Sequence, residues 1–196
     1  MTTQIEKFFE LFKRDIKTAR LELRILGPTL ENAELVWNAL KNEKLDDFKY
    51  APMVDGGLPK SLDETFAMMQ RQDKWCKSNG VNFYVFHDGK LVGYQRIFYW
   101  ESNKTLQFAD VWFVKSVWGN GFSKEIHEVL EKIAFEELKV HRTTRQCMAG
   151  NIRSKNSIIN AGYHLDGIMR DTNLLPDGTW MDHLCFTKLE SEYKKL

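Results

Sequence analysis

The sequence predicts an α/β (α+β) fold: one domain with a mixed central β-sheet flanked by helices. Three observations carry this. The stretch Phe108–Phe135 reads as a buried strand, a turn on Gly119 and Gly121, and an amphipathic helix with apolar residues at Ile126, Val129, Leu130, Ile133, Ala134 and later Leu138. Around it, segments with strand and helix periodicity follow one another as strand, two helices, three or four antiparallel-looking strands, helix, strand, helix and closing hairpin. The 196 residues contain no repeat, low-complexity tract or linker, and that length buries a substantial core without staples.

Taken in order, residues 3–16 place Ile5, Phe8, Phe9, Phe12 and Ile16 on one helical stripe, which must dock on the body or on a second copy of the chain. Residues 1–17 are therefore set apart as an N-terminal amphipathic helix, and 18–190 as the main domain. Thr18–Ile25 alternates apolar and polar residues, the pattern of a half-buried first strand. Thr29 caps a helix carrying Leu30, Ala33, Leu35, Trp37 and Leu40. Residues 45–60, with Pro52, Gly56, Gly57 and Pro59 among aromatics, read as a loop of the kind that lines binding sites. Ser61-Leu-Asp-Glu64 is a capping box for a helix to about Lys77. Asn82–Phe86 and Leu91–Phe98 flank a turn at His87–Lys90 and form a hairpin. After the central helix come a strand at Arg142–Met148, a short helix from Asn151 to a stop at Gly162, and a turn at Leu175–Gly178 that leads into a last strand, Trp180–Leu189.

Composition narrows the function. Apolar residues make up 43% and charged residues 28%, with a net charge of +1 and no long basic block, which argues against nucleic-acid binding through bulk charge. Cys76, Cys147 and Cys185 are odd in number and widely spaced, a pattern of reduced thiols in a cytoplasmic protein. The five histidines show no metal-ligand spacing, so no metal site is expected. Charges fill the N-terminus where a signal peptide needs an apolar core, and no run reaches membrane-spanning length.

A strand, a glycine turn and a helix start aim unpaired amides and the positive end of the helix dipole at one spot, which suits a phosphate. The chain has no Gly-x-x-x-x-Gly-Lys-Ser/Thr run, and Lys124 stands at the third position of a Gly-x-Gly-x-x-Gly fingerprint.

Two separate pieces bear a family resemblance: Trp118-Gly-Asn-Gly-Phe-Ser123 after a strand, and Asn151-x-x-Ser154 followed by Gly162-Tyr163, Gly167-x-x-Arg170-Asp171 and Asp177-Gly-x-Trp-x-Asp-His183. Together they resemble the GNAT superfamily of acyl-CoA N-acyltransferases, and within it the ribosomal-protein-alanine (Rim-type) N-acetyltransferases. The resemblance implies a GNAT-type domain with splayed central strands, acetyl-CoA as acyl donor, and a primary amine as acceptor, either a protein N-terminus or a small molecule. It assigns Trp118, Gly119, Asn120, Gly121, Phe122 and Ser123 to the pyrophosphate, and Phe113, Val114 and Asn151 to the pantetheine arm. It implies direct attack of the amine on the thioester, with Ser154 meeting the leaving sulfur, because the position where many members carry tyrosine is Ile158 here. The strand carboxylate that serves as base corresponds to Asp110, with Asp171 and Asp182 as alternatives, and Lys124, Arg153 and Lys155 stand near the helix starts. The departures at Ile158 and around Asp110 leave open a non-catalytic acyl-CoA-binding module. A transferase of a larger acyl group such as succinyl is a further alternative, and it would need a cation at the thioester end.

Overall fold

The computed structural model describes residues 3–51, 57–175 and 177–194. Pro52 and Gly56 of the expected loop, and Pro176 of the last turn, lie outside the described residues.

Eight strands form one sheet: β1 (Ile16–Lys17), β2 (Glu22–Arg24), β3 (Gly80–His87), β4 (Lys90–Trp100), β5 (Thr105–Phe113), β6 (Arg142–Met148), β7 (His164–Leu174) and β8 (Trp180–Leu189). Their spatial order is β1-β2-β3-β4-β5-β6-β8-β7, antiparallel throughout except for the β5–β6 pair. The helices are α1 (Gln4–Phe12), α2 (Leu30–Leu40), α3 (Leu45–Phe48), α4 (Leu62–Cys76), α5 (Phe122–Lys132, continuing as a wider π turn over Ile133–Leu138), α6 (Ile152–Asn160) and α7 (Glu190–Tyr193). The caps that the sequence predicts are in place: Thr29 Oγ1 accepts from Asn32 N–H, and Ser61 Oγ accepts from Glu64 N–H. The Glu64 carboxylate accepts from Lys60 N–H at 2.8 Å, one residue before the position a capping box would use. Among the described residues no helix is long and apolar enough to cross a membrane.

Three expectations need correction at the N-terminal side. The first helix ends at Phe12, and Ile16 leaves the helical stripe to pair with Leu23 across β1–β2. The single strand expected over 18–25 is broken, because Thr18 Oγ1 accepts from Leu21 N–H while Thr18 N–H donates to the Leu21 carbonyl, closing a turn before β2 begins. The loop at 45–60 begins with the short helix α3, whose Phe48 is buried. The apolar stripe of α1 is covered within the chain: Phe8 and Phe12 are fully buried, and the Phe8 ring stacks on Tyr99 with centroids 5.4 Å apart. Phe8 and Phe12 thus dock the helix on the body of the chain, while Ile5, Phe9 and Leu11 are only partly buried.

Two irregularities of the central strands shape the cleft. Gln95 pairs with Val111 and Ile97 with Phe108, so Ala109 and Asp110 together oppose Arg96 in a β-bulge. The bulge shifts the alternation of β5. Phe108 meets His127 on the α5 face, edge-on at 4.9 Å, whereas Trp112 stacks on Tyr94 at 6.1 Å on the α4 face. Beyond it, β5 and β6 part. Their parallel pairing covers Thr105–Phe108 with Arg142–Arg145 and then stops, while β6 stays paired with β8 as far as Met148 and His183. The central strands are splayed.

Docking of α1 gives the first prediction. Phe8→Ala should lower the unfolding free energy by about 3–5 kcal/mol through lost burial and a residual cavity. Urea unfolding of the variant measures it; a loss below about 1 kcal/mol would mean that α1 is not part of the core.

Candidate active site

The parted strands open into a cavity of about 680 Å³ whose wall includes the end of β5, the glycine turn, the first turn of α5, the start of α6 and residues 46–51. The loop that the sequence singles out at 45–60 thus contributes Asp46, Asp47, Phe48, Tyr50 and Ala51 to the wall. Lys115 holds it to the end of β5, with Nζ 2.8 Å from Asp47 Oδ1.

Glycine is required in the turn by conformation. Gly119 and Gly121 have φ of +83° and +76°, a region that side chains with a Cβ rarely occupy. A Cβ on Gly119 would meet nothing within 4 Å, so the space in front of it is open. Gly121 is the N-cap of α5, and no side chain caps that helix, which leaves its first-turn amides to whatever fills the cavity. Phe122, Ser123 and Lys124 continue the same wall. Trp118 is fixed at the rim: its indole N–H donates to the Phe113 carbonyl at 2.8 Å, and the Arg153 guanidinium sits 3.7 Å over its ring.

Most of the expected donor-binding residues converge here. Phe113, Trp118, Gly119, Gly121, Phe122, Ser123 and Asn151 line the cavity; Val114 and Asn120 do not. Val114 is buried, and its N–H donates to the Val92 carbonyl on β4. Asn120 lies between two glycines in left-handed geometry and is exposed. Of the three cations near the helix starts, Lys124 and Arg153 are on the wall and Lys155 is not.

On the opposite wall, Asn151 caps α6. Its Oδ1 accepts from Ser154 N–H at 3.1 Å, which leaves the amide NH₂ free to donate. Ser154 and Ser157 line the cavity on the same helix. The Cys147 thiol on β6 has its pKa raised, chiefly by burial, with Ser154 opposing the effect. Ile158 faces away into a small core with Cys147, Tyr163, Leu184 and Phe186, so it presents nothing to the cavity.

Asp110 is not on this wall. It lies on the α4 side of the sheet, exposed, and forms an ion pair with the buried Arg96, whose guanidinium stacks over Trp75 at 5.1 Å. The bulge puts it there, one strand thickness from the cavity and beside the gap. Its charge also reaches His183 on β8: burial lowers that imidazole's pKa, and Asp110 opposes the effect. Asp182 accepts from Asp171 N–H at 3.0 Å, a hairpin contact that leaves neither on the cavity wall.

A polar cluster beneath the cavity was not singled out in the sequence. His127 and Glu131 face inward from α5, and Glu131 accepts from Tyr163 O–H at 2.7 Å and from Lys188 Nζ at 2.6 Å. Burial, reinforced by the positive charge of Arg145, holds the His127 pKa well below the usual histidine value, so the ring is neutral. The available signal was the spacing of His127 and Glu131, four apart and in phase with the apolar stripe of the helix. Among the described residues no group of three potential metal ligands comes together.

Comparison with known proteins identifies the family and the fold. Residues 20–164 match the family model "Acetyltransferase (GNAT) domain". The chain is 31% identical over 116 residues to the Probable N-acetyltransferase YjcK of Bacillus subtilis (strain 168), a match that covers 57% of this chain and 63% of the relative, under two thirds of its length. Solved structures with the same fold include the RimL ribosomal L7/L12 α-N-protein acetyltransferase in complex with coenzyme A (TM-score 0.74, 17% identity, 89% of this chain and 97% of that one). They also include the microcin C7 self-immunity acetyltransferase MccE in complex with acetyl-CoA and AMP (TM-score 0.75, 17% identity, 91% and 98%).

The geometry of the turn predicts that acetyl-CoA raises the melting temperature of this protein, since only the folded chain assembles the cradle. Gly121→Val should remove the rise, because a branched residue at that φ distorts the turn where the amides converge. A thermal-shift titration decides it: no rise in the parent protein would show that the cavity is not a coenzyme A site.

Proposed function

The chain belongs to the GNAT acetyltransferase family, and from that premise we propose that it transfers an acetyl group from acetyl-CoA to a primary amine by direct attack on the thioester. The observation that carries this reading is the gap between β5 and β6. The cavity, with the glycine turn and Asn151–Ser154 on its walls, lies where these strands part, and Asp110 follows the last β5–β6 pair on the other face of the sheet. Donor and acceptor would thus approach from two sides of one layer and meet between the strands.

In this reading the amides of Gly119–Ser123 hold the pyrophosphate, and Lys124 and Arg153 add positive charge. Asn151 donates its amide to the pantetheine arm. The acceptor must be neutral to attack, although a peptide α-amine has a pKa of about 8 and a lysine about 10.4. Asp110 takes the proton, directly or through water, and the Ser154 hydroxyl donates to the sulfur as the C–S bond breaks. Arg96 fixes the orientation of the Asp110 carboxylate.

The acceptor is a protein N-terminus or a small amine. The Rim-type motif spacing and the shared fold with RimL support the former, and the choice between them would fall to Asp46, Asp47, Phe48, Tyr50 and Ala51 on the cavity wall. The three free thiols support a reducing, cytoplasmic setting. A second reading, a non-catalytic acyl-CoA-binding module, draws on the Arg96–Asp110 ion pair, which occupies the carboxylate, and on the apolar Ile158.

Free-thiol release from acetyl-CoA over a panel of amines tests the activity. With the best acceptor, Ser154→Ala should lower kcat by roughly 10²-fold with little change in acetyl-CoA affinity. Asp110→Asn should cost a similar factor and be partly rescued as pH rises, because more of the amine is then neutral. If both variants keep full turnover, these two roles are wrong; if no amine releases thiol while acetyl-CoA binds, the binding-module reading stands.

A further inference from the structure

The floor of the cavity carries a charge that acetyl transfer does not use. Arg145 is 5% exposed and lines the cavity, and it sits on β6 opposite Phe108, the last pair before β5 and β6 part. Among the described residues no carboxylate lies within ion-pair distance of its guanidinium. The acid within electrostatic reach, Glu131, already has one oxygen on Tyr163 and the other on Lys188. One carboxylate against the two cations Arg145 and Lys188 leaves one positive charge in surplus, and His127 beside them is neutral. The Tyr163 ring, 5.4 Å from the guanidinium, offsets only part of this, and Lys188 shares the ring at 4.7 Å. A guanidinium does not shed its proton, so a buried one without an anion is unfavourable until something fills the cavity.

The position of Arg145 indicates which anion. The phosphate cradle begins beyond Phe113, five residues along β5 from the Phe108–Arg145 pair, or about 16 Å at roughly 3.3 Å per residue. The phosphates have their own donors there. The closed end of the gap is where the acyl chain, the far end of the donor, would point. We propose that Arg145 recognises a carboxylate at the end of the acyl chain, so that this site takes a dicarboxylic acyl-CoA as donor in addition to acetyl-CoA. This rests on the transferase reading above. The transfer step is unchanged: the amine nitrogen bonds to the thioester carbon, the C–S bond breaks, the amine gives up one proton, and coenzyme A leaves as the thiol, with the terminal carboxylate a spectator.

Succinyl-CoA and butyryl-CoA have equally long acyl chains and differ in the carboxylate, so their ratio isolates the contact. In the parent protein kcat/KM with succinyl-CoA should exceed that with butyryl-CoA at least tenfold on the same amine. Arg145→Met should bring the ratio to one or below, with Arg145→Lys in between. A parent ratio near or below one overturns the proposal without any variant. It is also overturned if Arg145→Met weakens acetyl-, butyryl- and succinyl-CoA alike, which would assign the guanidinium to the coenzyme body. Equilibrium binding of the two thioesters by calorimetry gives the same ratio without an acceptor. Absence of amine transfer therefore counts against the transferase reading alone, and absence of a binding preference counts against the role of Arg145 alone.

Discussion

The structure depends on a strand pairing that is begun and not completed. β5 and β6 share four register pairs, Thr105–Phe108 with Arg142–Arg145, and then separate inside an otherwise continuous sheet. Backbone N–H and C=O groups in a protein interior need partners, so strands that part must be solvated or filled by something that brings its own amides. A pantetheine arm meets that need by lying beside a strand as a further strand would. The cavity lies in this gap, and the starts of α5 and α6 stand on its walls.

The gap stays open because its two sides are anchored separately. On one side β5 is bound along its length to β4, and Lys115 and Trp118 tie its end to α3 and the glycine turn. On the other side β6 follows β8 through seven register pairs. At the apex Glu131 of α5, Lys188 of β8 and Tyr163 form a buried hydrogen-bonded cluster, with Thr143 of β6 2.8 Å from the tyrosine oxygen. Both carboxylate oxygens are used, which is the condition under which a buried ion pair recovers its desolvation cost. The cluster joins helix and strands where they converge and leaves them free to diverge beyond.

The bulge at Ala109–Asp110 divides the work between the faces of the sheet. By inserting one residue it lets Phe108 cover the α5 side and Trp112 the α4 side, and it turns Asp110 toward Arg96 and the mouth of the gap. The cavity with its glycine turn and the Arg96–Asp110 pair then lie on opposite faces of one sheet.

Local signals sufficed for much of this. Periodicity and caps place α2, α4, α5, α6 and six of the strands, because each is decided by residues within one or two turns of each other. The left-handed glycines of the turn and the Asn151–Ser154 cap are equally local, so much of the cavity wall was legible from residue types and spacing. What the sequence could not decide is whatever depends on partners far along the chain. The first strand breaks because the Thr18 turn and the pairing of β2 with β3 prevail over its alternation. The face taken by Asp110 follows from a bulge visible only in the β4–β5 register. Spacing marks His127 and Glu131 as inward on α5, but their meeting with Arg145 and Lys188 is decided only when α5, β6 and β8 are brought together. Composition and spacing alone determined an α/β domain with a glycine turn leading into an uncapped helix start; tertiary structure decided where the strands part and which charges are left buried at that point. Charge burial depends on the distance between elements, and sequence separation carries no record of that distance.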